Sequence, residues 1–370
     1  MKKLLTLALI LTSATAFATR SRITALGNAP HLIDVSSVYG NPSDIMILTG
    51  DSLTIESGKT NVVPGVDTTS QGAEGLLIRS MGTDAKMAIS LGHDDDSIFA
   101  MRKLAKAGNV AVATIAQQNP LEVSYGMKMG DTSIAGTLVY SNFENKLAGS
   151  EQKENSMALK FGATGSVWSA TAALVLADKW QNSTGATLND YKAATGIALT
   201  GSYDVMSDLY LYGGLATGGY KSTASTVDAQ DYSSTEIKVG AISKIEPKDA
   251  SAKFFYGAGL TSTTTKEKVA DTKTNDLHLP LIIGLEAEAN SWLTVRGSVT
   301  QNLLLVDSSK TEAAGTTTAE TNPGANSTTL AAGAGLKFNK VVVDGSILAA
   351  GSQVLNSANL LGQVGLTYAF

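Results

Sequence analysis

The sequence predicts an all-β chain that crosses a membrane as a closed antiparallel barrel of about 16 strands, between 14 and 18, with short turns at one end and long loops at the other. Three observations predict it. Long segments alternate apolar and polar residues with a period of two, and their apolar faces carry no charge, as a surface facing lipid requires. The connections between these segments alternate in length. The 370 residues include 36 glycines, 7 prolines and no cysteine, with 43% hydrophobic and 16% charged residues, a composition of many turns and half-apolar strands.

The same figures exclude other classes. Beyond the first residues no apolar run reaches the 18–20 residues a membrane helix needs. Without cysteine there is no disulfide framework and no thiolate metal site. A net charge of −5 with no basic block predicts no nucleic-acid partner.

The elements follow in order. Met1-Lys2-Lys3 is a basic start, Leu4 to Phe17 is apolar, and Ala16-Phe17-Ala18 is a small-x-small site, so residues 1–18 read as a secretory signal peptide. Residues 19–43 then form a periplasmic or plug segment and 44–370 the barrel. A weak first strand is expected within 44–57, then strands at 75–81 and 85–92. At 121–129, Leu121, Val123, Tyr125, Met127 and Met129 oppose Glu122, Ser124, Gly126 and Lys128. Strands follow at 132–142, at 153–163 (Met157, Leu159 and Phe161 against Ser156, Lys160 and Gly162), and at 166–178, 190–203 and 208–220. At 234–246, Ile237, Val239, Ala241 and Ile245 oppose Glu236, Lys238, Gly240, Lys244 and Glu246. Residues 250–264, 275–288, 291–305, 327–338 and 340–350 continue the pattern, and the last strand ends at Tyr368-Ala369-Phe370.

Short turns are expected near 82–84, 130–131, 164–165, 204–207, 247–249, 289–290 and 339, and long outer segments at 58–74, 93–119, 143–152, 179–189, 221–233, 265–274, 306–326 and 351–358. A soluble sandwich would also alternate, but with strands of about 5–6 residues. These run nearer the 9–11 that a tilted membrane strand needs. Trp168, Trp180, Tyr203, Tyr220, Trp292, Phe338, Tyr368 and Phe370 fall near strand ends, where interfacial girdles form.

The opposite faces supply the candidate lining: Lys86, Glu122, Lys128, Lys160, Lys192, Lys238, Lys253, His278, Glu286, Arg296, Lys337 and Asp344, among small residues that leave space. A dry lumen could not hold so many charges cheaply, whereas a wet one can. Two readings stay open: a slightly cationic pore that favours anions, or charges that pair across the lumen and leave no selectivity.

The longest outer segment holds candidate constriction residues Asp94, Asp95, Asp96, Arg102, Lys103 and Lys106, on a short helix that Asp96 caps and Gly108 ends. Ile98, Met101 and Leu104 share one side and the basic residues the other. Val110–Ala116 could instead add a strand. His93-Asp94-Asp95-Asp96 admits a rim acid–base site or a hard-cation site, but reads first as a polar loop with a helix cap. No HExxH, nucleophile elbow or Walker loop occurs. No enzyme, cofactor or metal is predicted.

The C-terminal strand resembles that of Gram-negative outer-membrane β-barrel proteins, which commonly ends in Phe with Tyr two residues earlier and is read by the barrel-assembly machinery; Phe370 and Tyr368 match. Arg22-Ile23-Thr24-Ala25-Leu26-Gly27, Asp34 and Asn41-Pro42-Ser43-Asp44-Ile45 look like the start of FadL-type proteins, where Leu-Gly, Asp and Asn-Pro lie in a segment that plugs or borders the barrel. With Asn119–Gly126 and the C-terminus, the chain is most similar to the abundant porin-like outer-membrane proteins of Bdellovibrio-type predatory bacteria. The resemblance implies an outer-membrane porin for small hydrophilic solutes and ions, in contact with membrane lipid and lipopolysaccharide, with a homo-oligomer left open. FadL-type barrels have 14 strands and carry hydrophobic molecules through an apolar interior, and the inward lysines depart from that pattern. A plugged transporter and a structural or surface-recognition barrel remain the alternatives.

Overall fold

In a computed structural model the protein is described at residues 19–58, 72–95, 98–108, 117–185, 187–224, 227–247, 251–311, 316–317, 324–350 and 360–370. Sixteen strands form one closed antiparallel sheet in which each strand pairs with its neighbours in sequence. They are β1 (Ser52–Gly58), β2 (Gly72–Ser80), β3 (Ala85–Leu91), β4 (Leu121–Met129), β5 (Thr132–Leu147), β6 (Ser150–Thr164) and β7 (Trp168–Thr184). Next come β8, in two pieces (Thr187–Ala193 and Ile197–Met206), β9 (Leu209–Ala224), β10 (Val227–Ile245), β11 (Ala252–Glu267) and β12 (Thr272–Asn290). The last are β13 (Leu293–Thr311), β14 (Gly324–Phe338, preceded by the short piece Thr316–Thr317), β15 (Val341–Ala350) and β16 (Leu360–Ala369). The first and last strands close the ring, with Ser52 opposite Ala369 and Gly58 opposite Gln363.

The period-two pattern explains why this sheet closes. Leu53, Ile55, Val123, Tyr125, Leu199, Ile237, Val239, Tyr256, Ile283 and Val364 all point outward, and Ile283 is 66% exposed. Such a continuous apolar ring is stable against lipid and not against water. Among the described residues no helix is long and apolar enough to cross a membrane. Trp168, Tyr203, Trp292, Phe338, Tyr368 and Phe370 are exposed near the short-turn end, as expected of a girdle.

Four of the expected outer loops are built mostly of paired strand. β5 and β6 stay in register down to Leu147 opposite Ser150, leaving a tip at Ala148-Gly149 with Gly149 at φ +82°. β7 with β8, β9 with β10 and β11 with β12 continue likewise to Thr184–Thr187, Ala224–Val227 and Glu267–Thr272. The wall therefore rises beyond its apolar belt. The extra strand considered at Val110–Ala116 lies outside the described residues.

Two irregularities reverse faces that simple alternation assigns. β7 carries one extra residue where Met157 faces Ala177 but Ala158 faces Val175. A one-residue shift turns every later side chain to the other face. Trp180, a girdle candidate, is consequently buried inside. β8 breaks at Ala194-Thr195-Gly196, and beyond the break Lys192 lies opposite Lys179 on the outer face. Lys192 is therefore not pore-lining. Tyr220, also a girdle candidate, faces inward and is buried.

Candidate functional site: the barrel interior

Residues 19–50 lie against the inner wall. Their first helix, α1 (Arg20–Ala25), is held by an ion-pair cluster. Arg22 donates from Nε and Nη2 to the two Glu286 carboxylate oxygens at 2.7 and 3.0 Å. Arg296 donates to Glu286 at 2.6 Å and to Asp344 at 2.6 Å. The Thr19 backbone N–H reaches Asp344 at 3.2 Å, and Ser298 donates to the Ala25 carbonyl at 3.0 Å. Leu26 and Ala29 pack on Ile242 and Phe255.

A second cluster holds α2 (Ser37–Gly40) and the 3-10 turn Pro42–Met46. Val35, Val38, Tyr39, Ile45 and Leu48 pack on Leu76, Ile78, Ala88 and Ala135 of the wall. The Tyr39 ring stacks on His93 at 3.6 Å between centroids. Lys160 donates to the Tyr39 carbonyl at 2.9 Å, to Asp95 at 2.5 Å and to Glu122 at 2.9 Å. Arg20 pairs with Glu74 at 3.0 Å, and His93 Nδ1 lies 2.8 Å from the same carboxylate. His93, Asp95 and Glu122 lie close enough to share a cation, but the Lys160 ammonium already bridges the two carboxylates.

The small inward residues of the wall are the seats of this segment. A Cβ on Gly162 would lie 2.1 Å from Asn41 Oδ1, one on Gly365 2.5 Å from Thr19, one on Gly333 2.6 Å from Ala25 and one on Gly126 2.8 Å from Ile45. Space that the sequence suggests for water is occupied here by the chain itself.

The third cluster seats the long loop. Its helix, α3 (Ala100–Gly108), follows a turn in which Asp95 accepts from the Ile98 N–H at 3.2 Å. Asp94 beside it is half-buried. Phe99 packs on Val139, Ala158 and Val175, and Ala105 on Trp180, Tyr191 and Tyr220. Arg102 is fully buried; it donates to Glu154 at 2.8 Å and to Asp178 at 2.6 Å. Tyr191 completes the cluster at 3.0 Å from Asp178. The loop thus folds into the barrel, but Arg102, expected among the basic residues of a pore constriction, faces the wall, where Glu154 and Asp178 hold it. Asp96 and the side chains of Lys103 and Lys106 lie outside what the structure describes.

Burial sets the charge states along the inserted segments. Asp34 is pushed up to about 6 by burial, against the opposing pull of Arg22, and Asp44 to about 7 by burial. Burial, with Lys244 nearby, lowers His31 to about 4. Burial opposes the Arg102 charge, but Asp178 and Glu154 overcome it and hold the guanidinium above its ordinary value.

Of the expected lining residues, Glu122, Lys160, Glu286, Arg296 and Asp344 are tied into these clusters. Lys86 faces inward and donates to the Leu48 carbonyl. Lys128, Lys253 and Lys337 face inward at the short-turn rim, Lys253 beside Glu246 at 3.4 Å. Lys238 and His278 lie on the side the inserted segments leave accessible, and His278 Nδ1 is 3.1 Å from the Asn302 amide. On that side, in the half of β9–β13 toward the long loops and beyond the seat of residues 22–29, inward Gly214, Glu236, Lys238, Thr261, Thr263, Asp276 and Asn302 are only half-buried. Across β2–β6 the inward face is largely buried. Sequence reasoning missed Arg20, Glu74, Glu154 and Asp178, and reached Arg22 and Asp34 only as part of the FadL-like segment, without their partners. Glu154 sits on the inward register of β6 and was readable from it; Asp178 was hidden by the β7 irregularity.

No family model matches the chain, and no curated protein matches its sequence. Among solved structures it is similar to a bacterial polysaccharide outer-membrane secretin, at 8% identity over 86% of this chain and 98% of the other, with a TM-score of 0.49. It is also similar to the CymD monoaromatic hydrocarbon channel, at 10% identity over 95% and 97% with a TM-score of 0.43, and to a porin, at 10% over 87% and 99% with a TM-score of 0.41. At such identities the likeness is one of barrel architecture alone, and this chain's own geometry must carry any functional reading.

Proposed function

We propose that the protein is an outer-membrane channel for passive diffusion of small hydrophilic solutes and ions, narrowed by its own N-terminal segment and long loop. One observation carries the reading: the accessible inner face across β9–β13 is polar, with Lys238, Glu236, Thr261, Thr263, His278 and Asn302 at its surface. Ionised and hydroxylic groups in a half-open lumen are stable only when wet, so the passage suits water-soluble cargo and not apolar molecules. The filled side acts as a wedge that sets the bore.

The test is single-channel recording of the protein, purified from membranes in neutral detergent, in a planar lipid bilayer under a KCl gradient. Stepwise, ohmic and small conductance is expected. A properly folded barrel that passes no current would overturn the reading and favour a plugged transporter or a structural barrel.

A further inference from the structure

The outside of the barrel carries a charge pattern that the channel does not use. On β7, β9, β11 and β12 the outward face starts apolar at the short-turn end and reaches a lysine toward the long-loop end, while on β10 between them it ends at Asp231. On β9 the outward residues run Leu209, Leu211, Gly213, Leu215, Thr217, Gly219, Lys221; on β11 they run Phe254, Tyr256, Ala258, Leu260, Ser262, Thr264, Lys266. β12 runs from Leu285 and Ile283 through Leu277 to Lys273, and β7 from Leu174 and Leu176 to Lys179. With Lys192 and Lys268 this makes an arc of lysines just beyond the apolar belt. The outward acids on the described part of this arc are Asp190 and Asp231. The arc is basic although the whole chain is acidic.

At the β8 break the arc holds a groove of about 600 Å³, lined by Lys192, Thr195, Gly219, Lys221, Asp231 and Lys268 among others. Lys221 and Lys268 converge on Asp231 at 3.1 and 3.0 Å. Lys179 and Lys192 face each other directly across the strand pair. Like charges placed so are unfavourable, and Asp190 beside them, which feels both ammonium groups, offsets only one of the two. The depth matches a lipid headgroup, since these ammonium groups begin where the hydrocarbon-facing residues stop.

We propose that this groove binds the phosphate-bearing headgroup of an anionic membrane lipid, with the acyl chains lying on the apolar belt below it. Lys192, Lys221 and Lys268 supply the charge, and Asp231 holds two of them in place. Asp231 offsets one of the three charges, and Asp190 acts on Lys192.

The experiment is native mass spectrometry of the protein purified in neutral detergent, titrated with phosphatidylglycerol and, separately, phosphatidylcholine. Preferential retention of phosphatidylglycerol is expected. The triple variant Lys192→Gln/Lys221→Gln/Lys268→Gln should weaken it by about tenfold, while Lys340→Gln at the opposite rim should not. Heat-modifiable gel mobility verifies that each variant is a folded barrel. Equal retention of the two lipids, an unchanged triple variant, or full displacement of phosphatidylglycerol by millimolar inorganic phosphate would each overturn the proposal, the last by showing a free-phosphate site.

Discussion

Asp44 and Arg102 show how single buried charges govern the inserted segments. Asp44 takes a hydrogen bond from Asn41 at 2.9 Å yet is pushed up to about 7 by burial, from an ordinary 3.8. The docked segment therefore keeps a proton that a released one gives up. Docking is fully favoured below about pH 4 and weakens as pH rises through about 7. Asp34, raised to about 6, acts in the same direction. His31, lowered to about 4 from 6.5, acts oppositely: its contribution is complete above pH 6.5 and is lost as pH falls toward 4. Between pH 5 and 8 the two carboxylates outweigh the imidazole by about 2 kcal/mol at roughly 1.4 kcal/mol per unit. A spin label at Gly40→Cys reports this, because the chain has no other cysteine and a Cβ at Gly40 meets nothing. Its spectrum should sharpen as pH rises from 5 to 8, and Asp44→Asn should flatten the response. Arg102 is the opposite case, a cation whose removal strands two buried carboxylates. Arg102→Met should destabilise the seated loop by about 3–5 kcal/mol, read as protease cleavage within 98–108 in a barrel that still shows folded gel mobility.

At the scale of elements, the inserted segment and the wall fit by size. Gly162 on β6 lies under the Pro42–Met46 turn, and a side chain there collides with Asn41 and Ser43. Gly162→Val should cost the docked turn roughly 1–3 kcal/mol of overpacking, release residues 41–46 and raise single-channel conductance. Gly136→Ala, on the outward face of β5 where a Cβ makes ordinary contact with Phe161, should leave conductance unchanged. Strands such as β4 and β12 were legible because a period of two is a local property, and Lys160, Glu286 and Arg296 were placed inward correctly for the same reason. Trp180 and Lys192 were misplaced because one extra residue in β7 and a three-residue break in β8 invert the alternation, and neither leaves a composition signal. The pairing of Arg22 with Glu286 joins residues 264 apart, and no spacing rule reaches that far.

At the scale of the whole molecule, the question is what field a permeating ion meets. Counting inward bases against inward acids suggests a cationic pore, but Lys160 is neutralised by Asp95 and Glu122, and Arg296 by Glu286 and Asp344. The accessible side retains Lys238 opposed by Glu236 and Asp276, with His278 nearby. Such a wall has little net field, so the reversal potential in a KCl gradient should lie near zero. Lys238 is the residue that keeps it there, its stem lying over Gly214 on the neighbouring strand. Lys238→Glu changes the local charge by two units. At about 8 Å in water each unit is worth roughly 0.5 kcal/mol, so potassium gains and chloride loses about 1 kcal/mol and the permeability ratio should move toward potassium by about thirtyfold. A Lys238→Glu channel with unchanged selectivity would mean that ions pass elsewhere in the lumen, and that the β9–β13 side is not the conducting route.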